Sequence, residues 1–225
     1  METSVQIIEM VALGFEELLE KVVFVGGSVT GIYATDKAAA EARPTDDVDC
    51  VVEVAKLSEF YNFENQLRSK GFTNDTESKI ICRWKYHGIS VDIMPTNEKI
   101  LGFSNRWYSW GVANAKLFKL PNGKSIKILS APCFIATKIE AFKSRGEDMR
   151  YDSDFEDIIY ILNNRSEIEN EIAASPTELR LYLKNEFNIF LSKQIINEAV
   201  STSLMPEEDR VTYVIEIMKT IVKSE

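Results

Sequence analysis

The chain has 225 residues, 45% hydrophobic and 27% charged, and carries a net charge of −9 at pH 7. Those values suit a soluble globular protein of one large or two small domains, and the acidic balance argues against a protein that coats nucleic acid with its whole surface. No apolar stretch approaches the roughly 20 residues that span a bilayer, and three distant cysteines (Cys50, Cys82, Cys133) with one histidine, His87, leave little for a His-based zinc site or a Ser-His-Asp triad.

The first 21 residues carry acids at Glu2, Glu9, Glu16, Glu17 and Glu20, which disfavours an export signal. Ile7, Ile8, Val11, Leu18 and Leu19 instead fit an amphipathic helix. A cytoplasmic location with buried, reduced thiols is therefore expected. Val22–Val25 is an apolar run that stops at Gly26-Gly27-Ser28. The alanine-rich interval from Ser28 to Ala42 predicts a helix, ended by Pro44. Val48–Val54 reads as the second strand, and Leu57–Lys70 as a helix closed by Gly71.

Lys79–Tyr86 and Ile89–Met94 are two β-rich runs separated by His87-Gly88, the signature of a tight hairpin. Ser125–Leu129 predicts a short strand, after which Ser130-Ala131-Pro132 opens a helix running to Arg145. On that helix Lys138 and Arg145, spaced i, i+7, share a face. Asp154–Leu162 begins a further helix, and the chain from Ser166 onward reads as helical throughout. Within it, Ser175-Pro176-Thr177-Glu178 has the form of a capping box, and Pro206-Glu207-Glu208-Asp209 that of a first helical turn. The fold class expected is α+β (mixed α/β), with a small mixed sheet and flanking helices over residues 1–129 and a helical domain over 130–225.

Charge is distributed unevenly. From Glu98 to Glu140 there is no intervening acid, while seven bases (Lys99, Arg106, Lys116, Lys119, Lys124, Lys127, Lys138) fall in that interval. A local positive surface of this kind suits a phosphate-rich substrate. Aromatic residues in the same interval (Phe103, Trp107, Tyr108, Trp110, Phe118) are read either as stacking partners for a base or as core and interface residues.

The residues with chemistry are concentrated around the first two strands. Asp47 and Asp49, at i and i+2 on a strand, point to one face. An apolar strand carries two acids on one face only where a cation neutralises them, and magnesium, a hard cation with a preference for oxygen ligands, is that cation. Asp92, flanked by Val91 and Ile93, completes a three-carboxylate set if its strand lies beside that of Asp47 and Asp49. Gly26 and Gly27 let backbone N–H groups approach a triphosphate, and Ser28 adds a hydroxyl. The turn lacks the Lys-Ser/Thr of a Walker A loop.

Gly26-Gly27-Ser28, then Arg43-x-Thr45-x-Asp47-Val48-Asp49, then the distal Asp92, together resemble the nucleotidyltransferase superfamily of the DNA polymerase β type. The closer resemblance is to its AbiEii branch, which includes toxins of type IV toxin–antitoxin systems. It covers roughly residues 20 to 165 and extends to Lys138, Ala141 and Arg145 followed by Asp154-Phe155-Glu156-Asp157, with Ser153 where the family often has arginine. The resemblance implies transfer of a nucleoside monophosphate from a nucleoside triphosphate to an acceptor hydroxyl, with Mg²⁺ or Mn²⁺ held by Asp47, Asp49 and Asp92. It implies that Lys138 neutralises the triphosphate, that Asp157 orients Lys138 or the nucleophile, and that Arg43 and Arg145 pair with the acids or with phosphate. It also implies a nucleotide site at Gly26, Gly27, Ser28, Arg43 and Thr45, an RNA or tRNA end, a protein or a small molecule as acceptor, and a cognate antitoxin as partner. Read without the resemblance, Lys138 is a snorkelling surface lysine and Asp157 a helix-surface acid. The competing functional reading is a non-catalytic nucleotide-fold protein that acts by binding a protein partner.

Overall fold

Val22–Val25 (β1) has four consecutive apolar residues, all buried, as a strand covered on both faces requires. In the computed structural model, which describes residues 3–146, 148–205 and 207–224, β1 lies inside a seven-stranded mixed sheet. The other strands are Asp47–Val52 (β2), Thr73–Asn74 (β3), Arg83–Tyr86 (β4), Ile89–Pro95 (β5), Lys116–Lys119 (β6) and Ser125–Ile128 (β7). Their order is β3-β4-β5-β2-β1-β7-β6. β1 runs antiparallel to β2 and parallel to β7, and β2 runs parallel to β5. The fold is therefore mixed α/β, with helices Ser4–Phe15 (α1), Leu57–Ser69 (α2), Glu98–Leu101 (α3) and Tyr108–Ala113 (α4) in the sheet-bearing unit.

Two compact units divide the chain. The first comprises Met1–Val29 and Arg43–Ser130, the second Thr30–Ala42 and Ala131–Glu225. The helical unit thus takes in residues 30–42 in addition to the C-terminal half.

In the first unit, α1 is capped by Thr3 and Gln6, each side chain bonding the other's backbone N–H. Its buried residues Ile8, Val11, Ala12 and Phe15 face β2 and β5. The Phe15 ring stacks on Phe72 at 5.0 Å and meets Phe24 edge-on at 6.1 Å. The expected hairpin is present: His87 and Gly88 have φ of 48° and 84°, which a two-residue type I′ turn demands of both positions. Its first strand is shorter than the run Lys79–Tyr86 predicts. Residues 79–82 are instead held in a turn, with Arg83 N donating to Ile80 O and Ile80 N to Ser78 Oγ. α2 ends at Ser69, and Gly71 follows at φ 88°.

In the second unit, Ala131–Arg145 (α5), Ser153–Asn164 (α6), Ile168–Ala173 (α7), Thr177–Leu191 (α8), Ile196–Ser203 (α9) and Val211–Lys223 (α10) pack as a helical assembly. Phe142, Phe155, Phe187 and Phe190 form an aromatic centre with edge-on and tilted contacts. Three expectations are corrected here. The helix predicted from Ser28 to Ala42 is only a 3₁₀ segment, Gly27–Tyr33. From residue 35 its backbone bonds elsewhere: Thr35 N and Asp36 N donate to Asn164 O, and Ala38 N donates to the Asp36 carboxylate. The carbonyl at the end of α6 thereby gains the partners that its own helix cannot supply. The capping box at Ser175–Glu178 does not form, because Pro176 itself occupies the cap position and offers no side-chain acceptor. Of the acids expected in a first helical turn, Glu208 and Asp209 instead lie in the 3₁₀ turn Glu208–Arg210 that precedes α10 and Glu207 lies before it, while Pro206 lies outside the described residues.

Cys50, Cys82 and Cys133 are all free and buried, as expected. Burial pushes the thiols of Cys82 and Cys133 up to about 12.

Phe15→Ala removes a ring with no exposed surface from the α1–sheet contact. A loss of about 3–5 kcal/mol in urea-unfolding stability is expected, and a loss below about 1 kcal/mol contradicts the packing described.

Candidate active site

β2 begins at Asp47, so Asp47, Asp49 and Val51 share one face while Val48, Cys50 and Val52 take the other. The parallel register aligns Asp49 directly with Asp92 on β5. Side chains of paired residues stand on the same side of a sheet. All three acids therefore occupy one face of two adjacent strands, as the sequence requires for a shared site. Asp92 is 6% exposed. Asp47 and Asp49, nearer the strand end, are half-buried.

The antiparallel neighbour β4 adds a fourth member that the sequence reading missed. Arg83 aligns with Asp92. Its Nε donates to Asp92 Oδ1 at 2.7 Å, and its Nη2 donates both to Asp92 Oδ2 at 2.8 Å and to Asp47 Oδ2 at 2.6 Å. The fork on Asp92 is the bidentate geometry for which guanidinium is suited. Hydrogen bonding to Asp92, against the cost of burial, raises the guanidinium's pKa above its already high value. The only sequence signal for Arg83 was a basic residue nine positions before Asp92 across a hairpin, which acquires meaning once the register is known.

The negative potential of the face reaches its neighbours. Burial raises the Cys50 thiol well above its ordinary range, and the charges of Asp49 and Asp92 raise it further. Cys82 shows the same effects, burial being again the larger.

The glycine turn is built around the same carboxylates. Gly26 has φ 70°, and a Cβ there would overlap the carboxylate of Asp49. A Cβ on Gly27 would lie 2.6 Å from Arg43 Nη2 and 2.7 Å from Thr45 Cγ2. Gly26 is therefore required by both conformation and close approach, whereas a side chain at Gly27 would make Arg43 and Thr45 shift. Arg43 and Thr45 lie against the turn, and Thr45 Oγ1 donates to the backbone oxygen of Asp47 at 3.3 Å. Ser28 is 2% exposed, and its Oγ is buried without a hydrogen-bond partner. A buried hydroxyl left in that state is a donor available to a ligand.

Lys138, Arg145 and Asp157 lie in the second unit and form a cluster of their own. Lys138, on α5, is 6% exposed. Its Nζ is 2.9 Å from Asp154 Oδ1 and 2.6 Å from Asp157 Oδ2. Burial opposes the ammonium, but Asp157 and Asp154 outweigh it, and the lysine pKa moves upward. Arg145 Nη1 lies 2.7 Å from Asp154 Oδ2, close enough for an ion pair without hydrogen-bond geometry. Asp152 caps α6 by accepting from Asp154 N and Phe155 N at 2.8 and 2.9 Å. Lys138 is thus a buried, doubly paired cation, neither a snorkelling surface lysine nor a free one, and Asp157 at 1% exposed is not a surface acid.

Three co-facial carboxylates supply only oxygen donors, which suits Mg²⁺ or Mn²⁺. Among the described residues, however, no group of three or more His, Cys, Asp or Glu is arranged to hold a metal as it stands. The oxygens of Asp47 and Asp92 that would ligate are bonded to Arg83. The donor chemistry fits the ion, and two of the three carboxylates are bonded to the guanidinium.

No protein-family model matches the chain. No curated protein matches it at a significant level. Among solved structures, the chain is similar to the crystal structure of an antigenic nucleotidyltransferase-like protein from Paracoccidioides brasiliensis. The two are 16% identical over 88% of this chain and 92% of that one, with a TM-score of 0.49. A likeness of that degree decides nothing about activity, which rests on the site.

Lys138→Met leaves Asp154 and Asp157 buried without their ammonium. A loss of about 3–5 kcal/mol in unfolding stability is expected, read by urea titration. An unchanged midpoint contradicts the buried ion cluster.

Proposed function

We propose that the protein is a nucleotidyltransferase that moves a nucleoside monophosphate from a nucleoside triphosphate to an acceptor hydroxyl. The observation that carries this reading is the placement of Asp47, Asp49 and Asp92 on one face of two aligned parallel strands, beside a turn whose Gly26 has no room for a side chain. A non-catalytic binding protein has no need of such a set.

In this reading Asp47, Asp49 and Asp92 hold Mg²⁺ or Mn²⁺, which supplies Lewis-acid stabilisation of the phosphoryl oxygens when bound. Gly26, Gly27 and Ser28 receive the triphosphate through backbone N–H groups and the unpartnered Ser28 hydroxyl. Arg43 and Thr45 support the turn, and Arg43 offers a planar donor to phosphate. The acceptor oxygen attacks the α-phosphorus, the α–β phosphoanhydride bond breaks, and pyrophosphate leaves. Asp92 takes the hydroxyl proton. The resemblance gives Lys138 the role of neutralising phosphate, Asp157 that of its orienting partner and Arg145 that of a further cation; in this structure Lys138 is paired with Asp154 and Asp157.

The finer assignment follows the motif resemblance. The acid-free, basic interval from Lys99 to Lys138 favours a nucleic acid as acceptor and the net charge of −9 opposes it, while an RNA or tRNA end, over a protein or small molecule, is what the resemblance implies. The AbiEii-like arrangement of motifs favours a toxin restrained by a cognate antitoxin.

Incubation with Mg²⁺, each α-labelled nucleoside triphosphate and total RNA tests the reaction. Wild type is expected to transfer label and release pyrophosphate. Asp47→Ala with Asp49→Ala is expected to lower the rate by about 10³-fold or more, on the scale of removing a principal electrostatic group. No transfer by wild type from any of the four nucleotides, or equal transfer by the double variant, overturns the proposal.

A further inference from the structure

The geometry points to Arg83 as a tethered cation that holds Asp47 and Asp92 closed and must leave them before a divalent ion binds, so that loading the site is an exchange of guanidinium for metal. This rests on the reading of Asp47, Asp49 and Asp92 as metal ligands.

Arg83 is anchored by its backbone to β4 in register with Asp92. It therefore stays beside the site wherever its head points. Both oxygens of Asp92 and Oδ2 of Asp47 accept from its Nε and Nη2. A divalent ion held by Asp92 together with Asp47 would compete with Arg83, which already takes both Asp92 oxygens and Oδ2 of Asp47. It would also sit within a few ångströms of a guanidinium that cannot lose its charge, and like charges in a site of reduced polarity repel strongly. The two cations therefore compete for the Asp92 carboxylate.

Exchange is sterically possible because the ion pair is not sealed. The Arg83 side chain is 19% exposed and that of Asp47 34% exposed. The guanidinium can swing to water about its flexible stem while the strand stays paired. Asp49 differs from the other two acids by packing against the Gly26 turn. The device has two consequences. In the absence of metal, Arg83 lowers the repulsion between Asp47 and Asp92 on adjacent strands. Metal affinity is lowered by the free energy needed to break the charge-assisted bonds.

Mn²⁺ binding by the full chain, followed by the loss of the free-ion electron paramagnetic resonance signal, tests this for wild type and Arg83→Gln. Arg83→Gln is expected to bind Mn²⁺ roughly 10-fold or more tightly than wild type, the scale of losing hydrogen bonds to a charged group. Equal or weaker binding by the variant, with wild type retaining Mn²⁺, overturns the exchange and leaves the metal reading standing. No Mn²⁺ retained by either protein removes the metal reading and the exchange with it. Should Arg83→Gln fail to fold, the wild-type ¹⁵N signal of Arg83 Nε–H reports the same event. It is expected to move with Mg²⁺ titration as its bond to Asp92 breaks, and an unmoved signal at saturating Mg²⁺ overturns the proposal.

Discussion

Three carboxylates on one face of a largely buried sheet are costly unless a cation meets them. In this protein Arg83 meets two of the three: its Nη2 bridges Asp47 and Asp92 and its Nε completes a fork on Asp92. Much of the first unit is arranged around that charge arrangement. The parallel register of β2 and β5 aligns Asp49 with Asp92, the hairpin at His87-Gly88 brings Arg83 opposite Asp92, and Gly26 leaves room for the Asp49 carboxylate. A slip of one residue in either pairing would turn the acids or the arginine to the opposite face. Register is thus the link between the strand sequences and the chemistry.

The second unit solves a related problem differently. Lys138, Asp154, Asp157 and Arg145 place two acids and two bases in one cluster, with Lys138 and both acids buried. Breaking such a cluster from one side is strongly destabilising, because the remaining charge has no solvent to turn to. Arg83 is a partly exposed cation able to exchange for another, whereas Lys138 is fixed between two acids.

Much of the site was legible because local pattern determines it. The apolar run ending at Gly26-Gly27, the alternation that makes Asp47 and Asp49 co-facial, and the type I′ turn at His87-Gly88 each follow from residue chemistry over a few positions. Arg83 was not legible, since its role depends on cross-strand register rather than on its neighbours in the chain. The same limit explains residues 30–42. Their alanines favour a helix locally, but Thr35 and Asp36 donate to the carbonyl of Asn164, far along the chain, and that tertiary bond prevails over propensity. The capping box at Ser175 fails for a more local reason, because the intervening Pro176 takes the cap position itself. For Lys138 the residues alone favoured snorkelling from a helix face, but it is buried against the acids of α6, a pairing visible only in the fold.

The central claim is that the face bearing Asp47, Asp49 and Asp92 is where a divalent ion binds. Paramagnetic broadening of backbone amide signals by substoichiometric Mn²⁺ locates the ion directly. The account predicts that the amides of Val48, Cys50 and Ile93, which adjoin the three acids on β2 and β5, lose intensity first, and that Mg²⁺ in excess restores them. Uniform loss across the spectrum, or loss centred on Asp154 and Asp157, would contradict it.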